Sequence, residues 1–174
     1  MCKCNKYRDD KLHHECGVLG IYGVDDAAGL AYYGLHALQH RGQQGCGIVT
    51  VGPTGEFHRV KGDGLVNEVF NEQKITKLPG RMAIGHVRYS NAGCKGTENI
   101  QPFLFHHNSG DFAMANNGQI VNYNQLRAEL EDKGSLFQSS SDAEVLAHLI
   151  KKQGVDKDLP RIHALKDALN MLDG

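Results

Sequence analysis

The apolar segments of this chain come in an order that argues against a doubly wound parallel sheet. A nearly continuous apolar run, Val18 to Val24, reads as a strand covered on both faces. One helical pattern follows, in which Leu30, Tyr33, Ala37 and Leu38 recur at helical spacing and stop at HRG, with Gly42 as the C-terminal cap. The runs CGIVTVG, RMAIGHVRYS, PFLFHH and DFAMANNGQIV then read as strands bounded by glycine, proline and asparagine. Three helices come last: one from about Asn122 with an N-x-x-Q start, one from Ser141, and one from about Leu159 to Leu172. Strand, helix, several strands, then helices is not βαβ alternation. It predicts helices packed on largely antiparallel sheets, an α+β chain.

Composition narrows the class of partner. With 174 residues and 40% hydrophobic content, the chain is long enough for one globular domain with a sizeable core. A formal net charge of -1 with interspersed signs offers no basic stripe for nucleic acid and no polybasic block for a membrane surface. Residues 1–15 are polar without an apolar h-region, and no run approaches the roughly 20 apolar residues of a bilayer span. Five cysteines, an odd number, then point to reduced thiols and a cytoplasmic location.

Most chemical motifs are absent. AGCKGT has a lysine and threonine without the spacing of a phosphate-binding loop. HALQH puts His36 and His40 on one helical face, but alanine stands where a zinc protease needs its glutamate, so a surface histidine pair is the plainer reading. Cys2 and Cys4 with His13 and His14 form a weak soft-metal pattern in a polar tail. Cys16, placed just before the first strand, is by itself a core thiol, a metal ligand or a nucleophile.

A second set of segments is far more specific. ECGVLGIYG, LQHRGQQGCGIV, GHVRYSNAG, QPF, NNGQIVN and SSSDAE occur in the order found in class II glutamine amidotransferases, and from Glu15 onward the chain resembles that family. HRGQ and HVRY resemble its amidophosphoribosyltransferase branch. The resemblance implies an N-terminal nucleophile hydrolase fold, an αββα sandwich of antiparallel sheets, here lacking its C-terminal strands. It also implies a propeptide over residues 1–15, an incomplete glutaminase domain over 16–174, and no phosphoribosyltransferase domain.

The same resemblance assigns roles. Loss of residues 1–15 would make Cys16 the N-terminus. Its thiol would then be the nucleophile and its α-amine, with a pKa of about 7.7–8.0, the general base. Without the resemblance, Cys16 is an ordinary strand-edge thiol. Arg88 would bind the α-carboxylate of glutamine through paired guanidinium hydrogen bonds, and Asp142 its α-ammonium. Taken alone, Asp142 lies in the first turn of a helix that Ser141 and Glu144 would close as a capping box. Asn117 and Gly118 would form the oxyanion hole, although NNG alone is a turn signal. Arg41 and Gly42 would lie near the nucleophile, and Tyr89 would close over substrate or, as plainly, pack at a sheet edge.

Two residues depart from the family pattern: Asn91 stands where a carboxylate-assisting threonine is usual, and Asn116 where a histidine is common. The implied reaction is hydrolysis of L-glutamine to glutamate and ammonia, for phosphoribosylamine formation in de novo purine synthesis. Phosphoribosyl diphosphate, and the Mg that accompanies it, would belong to the missing domain, as would the iron-sulfur ligands of some relatives. No cofactor or metal is expected in this chain, and a homo-oligomer is compatible with it. The competing readings are a glutaminase serving another amidotransferase, a non-catalytic glutamine-binding module, and a metal-binding tail protein using Cys2 and Cys4.

Overall fold

The computed structural model describes residues 16–89, 97–107, 110–156 and 160–173. Residues 1–15, expected as a propeptide and carrying Cys2, Cys4, His13 and His14, and also Asn91 lie outside the described residues. The polypeptide divides into two compact units, Met1–Asn117 and Gly118–Gly174.

The first unit is built on a four-stranded sheet. Its elements run β1 (Gly17–Tyr22), α1 (Ala27–Ala37), a 3-10 turn (Gln39–Arg41), β2 (Gly45–Val51), β3 (Phe57–Asp63), α2 (Val66–Val69), α3 (Glu72–Ile75) and β4 (Met82–Arg88). A second 3-10 turn (Thr97–Asn99) leads to a hairpin of β5 (Phe103–Phe105) and β6 (Phe112–Met114). The strand order is β1-β4-β2-β3, and every pair is antiparallel, as the segment order predicts.

Alternation along the strands divides the sheet into two faces. Cys46, Ile48, Ala83 and Val87 turn toward α1 and, with Leu35, are buried. Leu35 lies directly over Gly85. The other face forms an apolar groove lined by Val49, Val51, Phe57, Met82, Ile84 and Ala113. Burial also pushes the Cys46 thiol up to about 12, so it is an inert core group.

Four expectations change here. The inner face of α1 consists of Ala27, Ala28, Ala31 and Leu35, whereas Leu30 and Tyr33 are 46% and 69% exposed. Alanines carry a weak hydrophobic signal, yet their small side chains let the helix settle close to the sheet. The cap of α1 is Leu38, and Gly42 ends the following 3-10 turn in an extended conformation. His40 therefore falls in that turn and does not share a continuous helical face with His36. Finally, β1 is an edge strand with Val18 and Tyr22 exposed, so it is not covered on both faces.

The second unit carries α4 (Tyr123–Glu131), α5 (Asp142–Asp156) and α6 (Arg161–Leu169). Asn122 precedes α4, but its side chain does not cap it. Its amide donates to the Met171 carbonyl at 2.8 Å and accepts from the Asp173 N–H at 3.1 Å, so it ties the start of α4 to the segment after α6. Among the described residues no helix is long and apolar enough to cross a membrane.

The two faces of α1 predict opposite mutational outcomes. Leu35→Ala should cost about 2–5 kcal/mol of unfolding free energy, and Leu30→Ala no more than about 0.5 kcal/mol. Urea denaturation of both variants checks this, and equal losses would contradict the assigned orientation.

Candidate active site

Pairing of Gly17 with Val87 brings the residue before β1 beside the residues that end β4. Cys16 is half-buried there. Its sulfur accepts the Tyr89 backbone N–H at 3.3 Å and lies 3.5 Å from the Tyr89 carbonyl oxygen, to which the thiol can donate. Tyr89 thus meets Cys16 through its backbone, and its residue exposure of 38% puts it at the surface.

The HRGQ segment closes on the same point. Arg41 Nε donates to the Cys16 carbonyl at 3.2 Å. Gly42 packs on the end of β4 so tightly that a Cβ there would stand 2.6 Å from the Arg88 carbonyl carbon, which leaves room only for glycine. The Gln44 N–H then donates to the Arg88 carbonyl at 3.2 Å. Gln39 completes the bracket by donating to the Gly42 carbonyl and accepting the Val66 N–H. Arg88 is the last residue of β4, with only 8% of its surface exposed. Cys16, Arg41, Gly42, Arg88 and Tyr89 are therefore gathered at one end of the sheet.

Asn117 reaches this unit by a different support. Asn116, just before it, is held by the buried Gln101, whose Oε1 accepts the Asn116 N–H at 2.8 Å and whose Nε2 donates to Asn116 Oδ1 at 3.0 Å. NNG is not the turn of a hairpin, because β6 ends at Met114 and Asn117 lies in an irregular, exposed stretch. His86 stands two residues before Arg88 on β4 and is fully buried. Burial, opposed by the nearby Asn116 backbone and reinforced by Arg88, pushes its pKa down to about 4. Neither ring nitrogen completes a hydrogen bond within the described residues.

Gly118 and Asp142 belong to the second unit. Asp142 opens α5, and its Oδ2 accepts the Ile120 N–H at 2.9 Å, which binds the helix start to the segment following Gly118. The expected capping box is replaced. Ser141 Oγ accepts the Ala143 N–H at 3.3 Å, but Glu144 reaches past Ser141 to accept the backbone N–H groups of Gln138 and Ser139 at 2.8 and 2.7 Å. The Ser141 N–H instead donates to Ser139 Oγ at 3.2 Å. Arg127 supports the same loop by donating to the Ser139 carbonyl at 2.9 Å and lying 4.2 Å from the Phe137 ring centroid. Among the described residues no group of three or more His, Cys, Asp or Glu is placed to hold a metal.

Gln39, His86, Gln101 and Glu144 are the supporting residues that sequence reasoning missed. Each had a signal in its segment, Gln39 in LQHRGQQ, His86 in GHVRY, Gln101 in QPF and Glu144 as the expected capping-box residue, but none pointed to the role it has here.

Comparison with known proteins agrees with this arrangement. The description of the glutamine amidotransferase domain matches residues 71–165. An amidophosphoribosyltransferase of Lacticaseibacillus casei is 49% identical over 164 residues, covering 94% of this chain and 82% of the relative. The chloroplastic amidophosphoribosyltransferase 1 of Arabidopsis thaliana is 51% identical over 170 residues, covering 98% of this chain and 30% of the relative. The solved glutamine phosphoribosylpyrophosphate amidotransferase of B. subtilis, complexed with ADP and GMP, superposes with a TM-score of 0.82 at 48% identity, covering 90% of this chain and 33% of that one. Those features define an N-terminal nucleophile hydrolase fold with antiparallel sheets. The chain belongs to the amidophosphoribosyltransferase family of glutamine amidotransferases. It spans about a third of the length of several of these relatives.

The buried histidine predicts a pH dependence of stability. The folded state holds His86 at about 4, against about 6.5 in an unfolded chain. The stabilisation is therefore complete above pH about 6.5 and is lost as pH falls toward 4, on the order of 3 kcal/mol over that window. The urea midpoint should fall between pH 7 and pH 4.5 in wild type and fall less in His86→Gln; an unchanged loss in the variant would contradict the assignment.

Proposed function

We propose that this chain is the glutamine-hydrolysing part of an amidophosphoribosyltransferase, with Cys16 as nucleophile. The observation that carries the reading is the seating of the Cys16 sulfur against the Tyr89 backbone, beside the strand end that bears Arg88. Once residues 1–15 are removed, the Cys16 amine takes the thiol proton and the thiolate attacks the side-chain carboxamide carbon of L-glutamine. Asn117 and Gly118 donate to the resulting oxyanion, each such donor being worth roughly 2.7–4 kcal/mol in acyl transfer. The protonated amine returns its proton to the leaving nitrogen, ammonia departs, and a thioester remains. Water, deprotonated by the same amine, attacks the thioester and releases glutamate and the thiol.

Binding falls to other groups. Arg88 takes the substrate carboxylate, and its near-complete burial suits a guanidinium that must hold one orientation. Asp142 takes the ammonium, on a carboxylate whose second function is to fix the segment after Gly118. Arg41 and Gly42 hold Cys16 and the end of β4 in register. Tyr89 shields the bound substrate, and Asn91 assists the carboxylate. Ammonia would be delivered to phosphoribosyl diphosphate on a domain outside this chain.

Glutaminase activity should be present and should vanish with an alkylating agent or with Cys16→Ser. Intact mass should show loss of residues 1–15, and full activity in protein that still carries them would remove the N-terminal nucleophile. Arg88→Lys should raise the glutamine KM at least tenfold with a smaller change in kcat. Asn91→Thr should lower KM by about 0.5–1.5 kcal/mol, the net worth of one hydrogen bond, with kcat unchanged. Equal, small effects from both changes would remove the carboxylate assignment.

A further inference from the structure

Gln101 has no part in the chemistry described above, yet it is one of the most firmly mounted polar residues of the first unit. Only 7% of it is exposed. Its own carbonyl lies against Gly47 of β2, where a Cβ would come within 2.4 Å of that oxygen. The residue before it, Ile100, is fully buried, and its carbonyl accepts a hydrogen bond from Lys61 of β3 at 3.0 Å. The 100–102 segment is thus clamped to two strands of the main sheet. From this mount Gln101 projects a side-chain amide that Asn116 meets at two points, through its backbone N–H at 2.8 Å and its side-chain oxygen at 3.0 Å.

A two-point amide pair does what a single hydrogen bond cannot: it fixes both position and rotation of the residue it holds. Asn116 is so held, and the next residue is Asn117, which lies in irregular, exposed chain. An exposed side chain on irregular backbone is a poor oxyanion donor unless something rigid sets the backbone before it.

We propose that Gln101 is a positioning residue for glutamine hydrolysis: by pairing with Asn116 at two points it transmits the rigidity of the sheet to Asn117. The inference rests on the reading that Asn117 stabilises the oxyanion. Its consequence is specific. An oxyanion donor acts in the transition state and not in substrate binding, so loss of the pair lowers kcat and leaves KM nearly unchanged. Misplacement of catalytic groups by about an ångström costs on the order of a hundredfold in rate.

The test is a double-mutant cycle on glutaminase activity. Gln101→Leu and Asn116→Leu should each lower kcat ten- to a hundredfold with KM within about threefold of wild type. The double variant should be no worse than Gln101→Leu, because that change already removes both hydrogen bonds and Asn116→Leu removes one of the same two. Gln101→Glu should recover most of kcat, since its carboxylate can accept both the Asn116 N–H and a rotated Asn116 amide; it also serves if Gln101→Leu does not fold. Multiplying losses in the double variant, a rise in KM matching the fall in kcat, or Gln101→Glu as impaired as Gln101→Leu would each overturn the proposal. Active wild type with an undiminished Gln101→Leu would remove this inference alone, whereas wild type without alkylation-sensitive glutaminase activity would remove the functional reading and this inference with it.

Discussion

The antiparallel pairing of β1 with β4 is the constraint on which the candidate site depends. Gly17 stands opposite Val87, so Cys16 meets Tyr89 and lies next to the strand end that carries Arg88. Strand pairing has a side-chain period of two, and a slip of one residue would turn Arg88 and His86 to the helix face and bring Val87 out. Burial resists that slip. Ala83 and Val87 are packed under α1, and Leu35 covers Gly85 between them. The same packing that stabilises the core therefore holds the thiol and the guanidinium in register.

Close approach of backbone is the second theme. At Gly42 the HRGQ turn rests on the Arg88 carbonyl, and at Gly47 the sheet admits the Gln101 carbonyl. A methyl group at either place would push a supporting segment away from the strand end it braces. These contacts explain why an irregular segment and a 3-10 turn, both weak structures alone, can hold polar groups at fixed positions. Arg41 and Lys61 donate to backbone carbonyls, and the Gln39 and Gln101 side-chain oxygens accept backbone N–H groups, so polar groups that such irregular segments leave unpaired are satisfied.

The second unit solves a similar problem with charge. Glu144 is only 3% exposed, and it accepts the Gln138 and Ser139 N–H groups as well as the Ser139 hydroxyl at 2.6 Å. Three donors thus meet one carboxylate, much as at a helix N-terminus, and His148 lies 4.0 Å from its other side. Arg127 closes the other side of the loop through the Ser139 carbonyl and the Phe137 ring. The outcome is an ordered approach to Asp142.

Local sequence by itself determined the antiparallel character, the segments that became β1, α1, β2, β4, β5, β6 and the last three helices, and those that carry Cys16, Arg88, Asn117 and Asp142, because glycine punctuation, helical spacing and linear motifs are properties of neighbouring residues. It left β3 and the short helices α2 and α3 unread. Local pattern misled where a face was built from alanine, as in α1, or where His58, Arg59 and Lys61 stood in a strand, as in β3. Only the tertiary structure decided that β1 is an edge strand, that Glu144 reaches past its own helix cap, and that Gln101 grips Asn116. The partners in that grip are 15 residues apart, and those joining Tyr89 to Cys16 are 73 apart. Contacts of that kind come from register and close packing across the sheet, which no spacing along the chain encodes.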